Sequence, residues 1–400
     1  MASDFIFISE SVTEGHPDKL CDQISDAIVD RFLDADPLAR VSAECAVARG
    51  VVFLAVRYAA SANLDLPALA RRVIAEVGYD NGDFNASDCS VMTSITALPD
   101  SERCRVDELQ LSGADLDAVP ARDQVTVFGY ACRDTAVLMP MPIYLAHRLA
   151  RRLALLRLGR QLPWLSPDGK TQVAVRYHDG QPQAIHSVTI QAGCQPTAPS
   201  PPEVRDILRL QVVAPVLAQA GFALGPDTML FLNPEPGLPP GGPAVHAGLT
   251  GRKNAIDTYG EFARHSGAAL SGKDPGRIDR SGAYAARHAA KAVVAGGLAQ
   301  RCEVMLSYSI GQAEPVSVHV DSFGTGLVSD DALAQALLDT LDLRVGAIVR
   351  RFKLRHLSGR RGGFYRRLAA YGHLGRTDIG LPWEQVNDLD ALRRAAGQAQ

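Results

Sequence analysis

Gly248-Leu249-Thr250-Gly251-Arg252-Lys253 and the later run Ser271-Gly272-Lys273-Asp274-Pro275-Gly276-Arg277-Ile278-Asp279-Arg280-Ser281 set five basic and two acidic residues among glycines. That mixture suits a chain of phosphates held with a divalent metal. Cations and backbone N–H groups take the oxygens, and a carboxylate takes the metal. Glycine lets the backbone come close to such a ligand. By itself the stretch also fits a solvated basic loop, so its meaning depends on the rest of the chain.

The chain has 400 residues, enough for two or three domains with real cores. Its 46% hydrophobic and 21% charged content is ordinary for a globular protein. A net charge of -3 gives no footprint for nucleic acid. No run of about 18 apolar residues offers a membrane span. The start, Met1-Ala2-Ser3-Asp4-Phe5, lacks the basic and apolar regions of a signal peptide. Seven scattered cysteines, without a C-x-x-C pair, argue against a disulfide framework or a zinc knuckle. A cytoplasmic protein is expected.

Helical spacing of Leu20, Ile24, Ala27, Ile28 and Phe32 predicts a helix over 18–34, with Asp22, Asp26 and Asp30 on its other face. Further helices are expected over 67–77, 143–156, 203–218, 281–298 and 330–341. Strands are expected over 51–58, 89–95, 172–177, 187–191, 229–233, 304–310 and 316–321. Asp168-Gly169 reads as a turn. Long helices interleaved with strand pairs, repeated about three times, favour α+β units over a doubly wound sheet. Neither G-x-G-x-x-G opening a helix nor a Walker A motif is present.

Three further constellations carry polar chemistry. In Glu10-Ser11-Val12-Thr13-Glu14-Gly15-His16-Pro17-Asp18-Lys19, a histidine and an aspartate sit at the mouth of a helix, with Pro17 suited to its first turn. His16 can donate to a leaving oxyanion, and Asp18 can hold a metal. Asp168-Gly169-Lys170 places a carboxylate and an amine at the start of a strand. Tyr371-Gly372-His373-Leu374-Gly375-Arg376 reads as a loop.

In conjunction and order these motifs resemble the S-adenosylmethionine synthetase (methionine adenosyltransferase) family, from about Asp4 to about Leu389. Val137-Leu138-Met139-Pro140 and Leu145-Ala146-His147-Arg148-Leu149 are similar to family segments as well. The resemblance implies three similar α+β domains around a pseudo-threefold axis, here 1–102, 118–232 and 233–390. It implies a homodimer or homotetramer with the active site at the subunit interface. It implies ATP and methionine as substrates: the acceptor sulfur attacks C5′ and displaces triphosphate, which is then hydrolysed to pyrophosphate and phosphate. By the same resemblance His16 assists the leaving oxygen, and Asp18 and Asp279 bind two Mg²⁺. Glu44 helps to bind K⁺. Lys170, Arg252, Lys253, Lys273 and Arg277 grip the triphosphate, Lys19 joins the ATP-binding set, and Asp123 and Asp168 contact the adenosine. Arg277 stands where the family commonly has lysine, which keeps the charge and changes its shape.

The departures gather in the acceptor and nucleoside pockets. Family carboxylates that hold the α-ammonium correspond to Arg57 and His246. A glutamine of the mobile loop corresponds to Leu98, and an aromatic over the adenine to Leu238. Two other readings therefore stand beside synthesis of S-adenosylmethionine. One is the same chemistry on a different acceptor. The other is a non-catalytic ATP- or polyphosphate-binding paralogue.

Overall fold

A computed structural model describes residues 4–80, 82–234, 240–359 and 363–398. Among these, the strands are β1 (Asp4–Val12), β2 (Arg40–Ala48), β3 (Val51–Ala59), β4 (Ser90–Ala97), β5 (Val125–Cys132), β6 (Leu165–His178), β7 (Gln181–Cys194), β8 (Met229–Leu232), β9 (Gly248–Leu249), β10 (Arg301–Tyr308) and β11 (Ser317–Asp321). They form three sheets, ordered β1-β6-β7-β8, β11-β10-β5 and β4-β3-β2-β9. The fold is α+β, as expected. The sheets nonetheless cross the expected segment boundaries. β1 pairs with β6 of the central segment, β5 with β10 of the last, and β9 with β2 of the first. Each sheet thus takes a strand from a neighbouring segment, and this tie brings distant motifs together.

Helix α1 (Pro17–Ala35) starts at N-cap His16, whose side chain accepts the Asp18 N–H. The expected amphipathic pattern is corrected here, because both faces of α1 are buried. Its aspartates recur at every fourth position, on one stripe of the helix. The first four, Asp18 to Asp30, accept backbone N–H groups from the C-terminal segment. Asp18 takes Leu249, Asp22 takes Gly251 and Asp26 takes Gly272. Asp30 takes Phe364, Tyr365 and Arg366. The basic loops are therefore anchored along one helix. At Gly248 an added Cβ would strike the Pro17 backbone, and Gly272 (φ +79) would meet the Ala43 carbonyl in the same way.

Asp26 also pairs with Arg280 at 2.7 Å, both side chains fully buried. Asp26→Ala leaves that guanidinium without its counter-charge, and a loss of about 3–5 kcal/mol is expected. Denaturant unfolding against the unchanged chain measures it, and a loss below about 1 kcal/mol would refute the anchoring role.

Helices α2 (Leu66–Val77) and α3 (Met141–Leu158) lie near the expected spans. The helix expected over 203–218 is broken by a wide turn over Leu208–Val213, ahead of Pro215. Proline has no N–H to donate and crowds the preceding carbonyls. Asp168-Gly169 is not a turn. It lies inside β6, where the pairing with β7 slips between Leu165 and Gly169. The hairpin turns at Asp179-Gly180, both at positive φ.

The helix Ile278–Ala295 packs on β5 and β10. Tyr284 on it stacks against Trp383 at 3.7 Å between ring centroids. Glu384 beside that ring meets Arg287 at 3.0 Å and Lys291 at 2.8 Å. Burial alone would raise its carboxyl, but these cations outweigh burial and hold it at about 2, from 4.5. A depressed carboxylate stabilises the fold above its unfolded pKa and loses that contribution as pH falls. The loss spans about pH 4.5 to 2 and is on the order of 3 kcal/mol. Glu384→Gln should flatten the stability curve across that window, as followed by urea unfolding at stepped pH.

Candidate functional site

The sequence-predicted residues fall into two groups at opposite ends of β2. The first gathers around the start of α1. His16 and Asp18 lie at that N-terminus, and Asp168 comes to them from β6, where Thr13 N–H bonds the Gly169 carbonyl at 2.9 Å. Lys170 faces solvent opposite Val12. β9 carries the Gly248–Lys253 loop over Pro17. Leu249 N–H meets Asp18 Oδ1 at 3.0 Å, and Arg252 lies 3.9 Å from the same oxygen. Lys253 pairs with Glu10 at 3.1 Å. His246 Nε2 meets Asp168 Oδ2 at 2.9 Å, and the His16 and His246 rings lie 5.0 Å apart.

The second group sits where Ser42 of β2 bridges Lys273. Lys273 meets Asp279 Oδ1 at 3.0 Å, and Arg277 meets Asp123 Oδ2 at 2.7 Å. Arg277 Nε lies 3.7 Å from Asp279 Oδ2. Ser42 pairs with Arg57 of β3, and Arg57 with Thr96 of β4. Lys273, Ser42 and Arg57 therefore follow one another across the sheet. Leu98, half-buried, ends that edge with its N–H on the Tyr58 carbonyl at 2.7 Å.

β2 pairs with Leu249 at Ala46, four residues beyond Ser42. At about 3.3 Å per residue the groups stand about 13 Å apart along the strand. Glu44 lies between them, exposed on the face it shares with Ser42 and Ala46.

The electrostatics follow from burial. Loss of water pushes the His16 imidazole down to about 3, with Asp168 opposing and His246, Lys253 and Lys170 adding to the effect. His16 is therefore neutral at ordinary pH. Its Nδ1 accepts the Asp18 amide, which places the proton on Nε2, where it can be donated to an anionic oxygen. Burial raises the Asp18 carboxyl. Burial also acts to raise Asp168, but the hydrogen bond from His246, His16 and the Gly242 N–H bring it below the usual carboxylate range. One carboxylate oxygen each of Asp168 and Asp279 is buried without a hydrogen-bond partner. Such an atom suits a ligand hydrogen bond or a hard cation.

Lys19 departs from its expected role. Its side chain is wholly buried between Asp22, at 2.8 Å, and Asp257, so its charge is matched inside the protein and does not face a nucleotide. Leu238 lies outside the described residues. Sequence reasoning missed Glu10, Asp22 and Asp257. Only the fourfold spacing of the α1 aspartates hinted at Asp22.

Models of the S-adenosylmethionine synthetase N-terminal, central and C-terminal domains match residues 4–99, 118–237 and 240–385. The S-adenosylmethionine synthase of Gloeothece citriformis is 45% identical over 412 residues, covering 100% of this chain and 99% of that protein. That of Synechococcus sp. strain RCC307 is 48% identical over 402 residues, covering 97% and 99%. On these matches, and on the conjunction of motifs at the two ends of β2, the chain belongs to the S-adenosylmethionine synthetase family.

Proposed function

We propose that the chain makes S-adenosylmethionine from ATP and methionine, as a methionine adenosyltransferase. Full-length likeness to proteins of that name does not favour another acceptor or a non-catalytic role. The observation that carries the reading is the paired set of phosphate-binding and carboxylate groups at the two ends of β2.

Triphosphate leaving a saturated carbon develops charge that must be neutralised as it forms. His16 Nε2–H serves the leaving oxygen, and Lys170, Arg252, Lys253, Lys273 and Arg277 take the phosphate oxygens. Asp168 and Asp123 orient the nucleoside, so that the sulfur lies in line behind C5′. The orphaned Asp279 oxygen, and Asp18 held by a single N–H, fit hard divalent cations, which would be Mg²⁺. Bound Mg²⁺ would add positive charge against the leaving phosphates. Glu44 would contribute to a K⁺ site. It is exposed on an open face, and no step is routed through that ion. All seven cysteines are free thiols, and no helix among the described residues is long and apolar enough to cross a membrane. The free thiols support a cytoplasmic setting.

One active site is built from the His16 group of one copy and the Lys273 group of another, in a homodimer or a pair of dimers. Phe53, Met92 and Leu249, exposed on the β4-β3-β2-β9 sheet, support a covered face there.

The test mixes two inactive variants, His16→Ala and Lys273→Ala, unfolds them together and refolds them. Incubated with ATP, methionine, Mg²⁺ and K⁺, the mixture should regain about a quarter of the native activity. Half of random dimers are mixed, and each mixed dimer has one intact site. Product is read by mass spectrometry. No recovery would refute the shared site, and no S-adenosylmethionine from the native chain would refute the activity.

A further inference from the structure

His16, Asp168 and His246 bring two imidazoles and a carboxylate together, with one ligand atom from each lying within 4.8 Å of the others. We propose that these three residues form a site for one late first-row divalent cation of the zinc, cobalt or nickel class, separate from the Mg²⁺ positions at Asp18 and Asp279. Nitrogen donors suit these metals, whereas magnesium prefers oxygen.

The geometry asks for little movement. His246 Nε2 and Asp168 Oδ2 already stand 2.9 Å apart. Bonds of about 2.0–2.2 Å would draw the third ligand inward by roughly an ångström. Asp168 Oδ2 is steadied by the Gly242 N–H at 2.7 Å, while Oδ1 is buried without a partner. His246 is a third exposed, which leaves an entry path and an open coordination position.

His16 has a partner for the proton that metal binding displaces. Its Nδ1 accepts the Asp18 amide at 3.2 Å and lies 3.7 Å from Asp18 Oδ2. When Nε2 takes a metal, the proton moves to Nδ1, which gives up the bond from the Asp18 N–H and turns to donate to the Asp18 carboxylate. The result is a carboxylate–histidine–metal arrangement. His246 supplies the second imidazole.

A filled site takes His16 and Asp168 from the nucleotide, so binding of such a metal at these three residues and of ATP is competitive.

The test adds Co²⁺ to the protein in excess Mg²⁺ and without ATP, so that the oxygen-ligand positions at Asp18 and Asp279 are competed for and the outcome does not depend on the activity. One Co²⁺ per chain is expected, with the visible bands of nitrogen and oxygen ligation and no thiolate band. Added ATP should weaken the binding. His246→Ala, at a partly exposed loop position, should lower affinity at least about tenfold with circular dichroism unchanged, and Asp168→Asn should do the same. Absence of bands with cobalt in excess, thiolate bands, or affinity unchanged in His246→Ala would each overturn the proposal.

Discussion

Asp279→Asn is expected to lower kcat at least about a thousandfold with the fold intact. Asp279 stands in the first turn of the helix Ile278–Ala295, where a negative charge is favoured. One carboxylate oxygen meets Lys273 at 3.0 Å, and the other is buried, unbonded, with Arg277 Nε at 3.7 Å. Asparagine keeps the shape and removes the charge, and its NH₂ must face a cation or the vacant position. Lys273 then loses the neighbour that aims it, and a hard cation loses its anionic ligand. Steady-state kinetics at saturating ATP, methionine and Mg²⁺ measure the fall, and thermal unfolding controls for the fold. Activity within tenfold of native would refute the placing of Asp279 at the chemistry.

Much of the fold was legible because α1, α2, α3 and the helix after Arg277 announce themselves through apolar spacing and, for α1, Pro17. β1, β2 and β5 were missed. In β1 the apolar run Phe5–Ile8 gives way to Ser9, Glu10 and Ser11, whereas β2 does alternate, but its inward face is carried by small Ala43 and Cys45 beside valines, which makes a weak apolar signal. The exchange of strands among sheets leaves no local signal, since pairing of β1 with β6 is decided by long-range packing.

The site was legible as a list and not as an arrangement. Each motif named its residue types, but nothing in the sequence placed His246 against Asp168 or divided the set between the ends of β2. Lys19 shows the limit most clearly. It sits in the same motif as His16 and Asp18, yet helical geometry turns it inward onto Asp22 and Asp257. The α1 aspartates show the converse. Their spacing gave a polar face, whereas the protein buries that face by offering it backbone N–H groups.

Arg57→Glu combined with His246→Asp is expected to lower the KM for methionine at least about tenfold and leave the KM for ATP within a factor of about three. Methionine carries an α-ammonium and an α-carboxylate. Arg57 attracts the second and repels the first, and it stands one strand beyond Ser42 from Lys273, at the edge of the proposed phosphate-binding group. His246 spends its Nε2 on Asp168 and so offers the ammonium no acceptor there. Two carboxylates placed there supply a counter-charge for the ammonium. A close charge pair of this kind is worth about 2–5 kcal/mol when one partner is removed. The proposed phosphate-binding residues Lys273, Arg277 and Lys253 are untouched, and the aspartate side chain at 246 is shorter than the imidazole that reaches Asp168, so a change of no more than about threefold is expected for ATP. A gain confined to kcat, or an unchanged methionine KM, would show that this chain recognises its amino acid by another route. A rise in the KM for ATP alone would show that His246 acts through Asp168 on the nucleoside. The two single substitutions separate these cases, because Arg57 is outside hydrogen-bond reach of Asp168, and His246 is in contact with it.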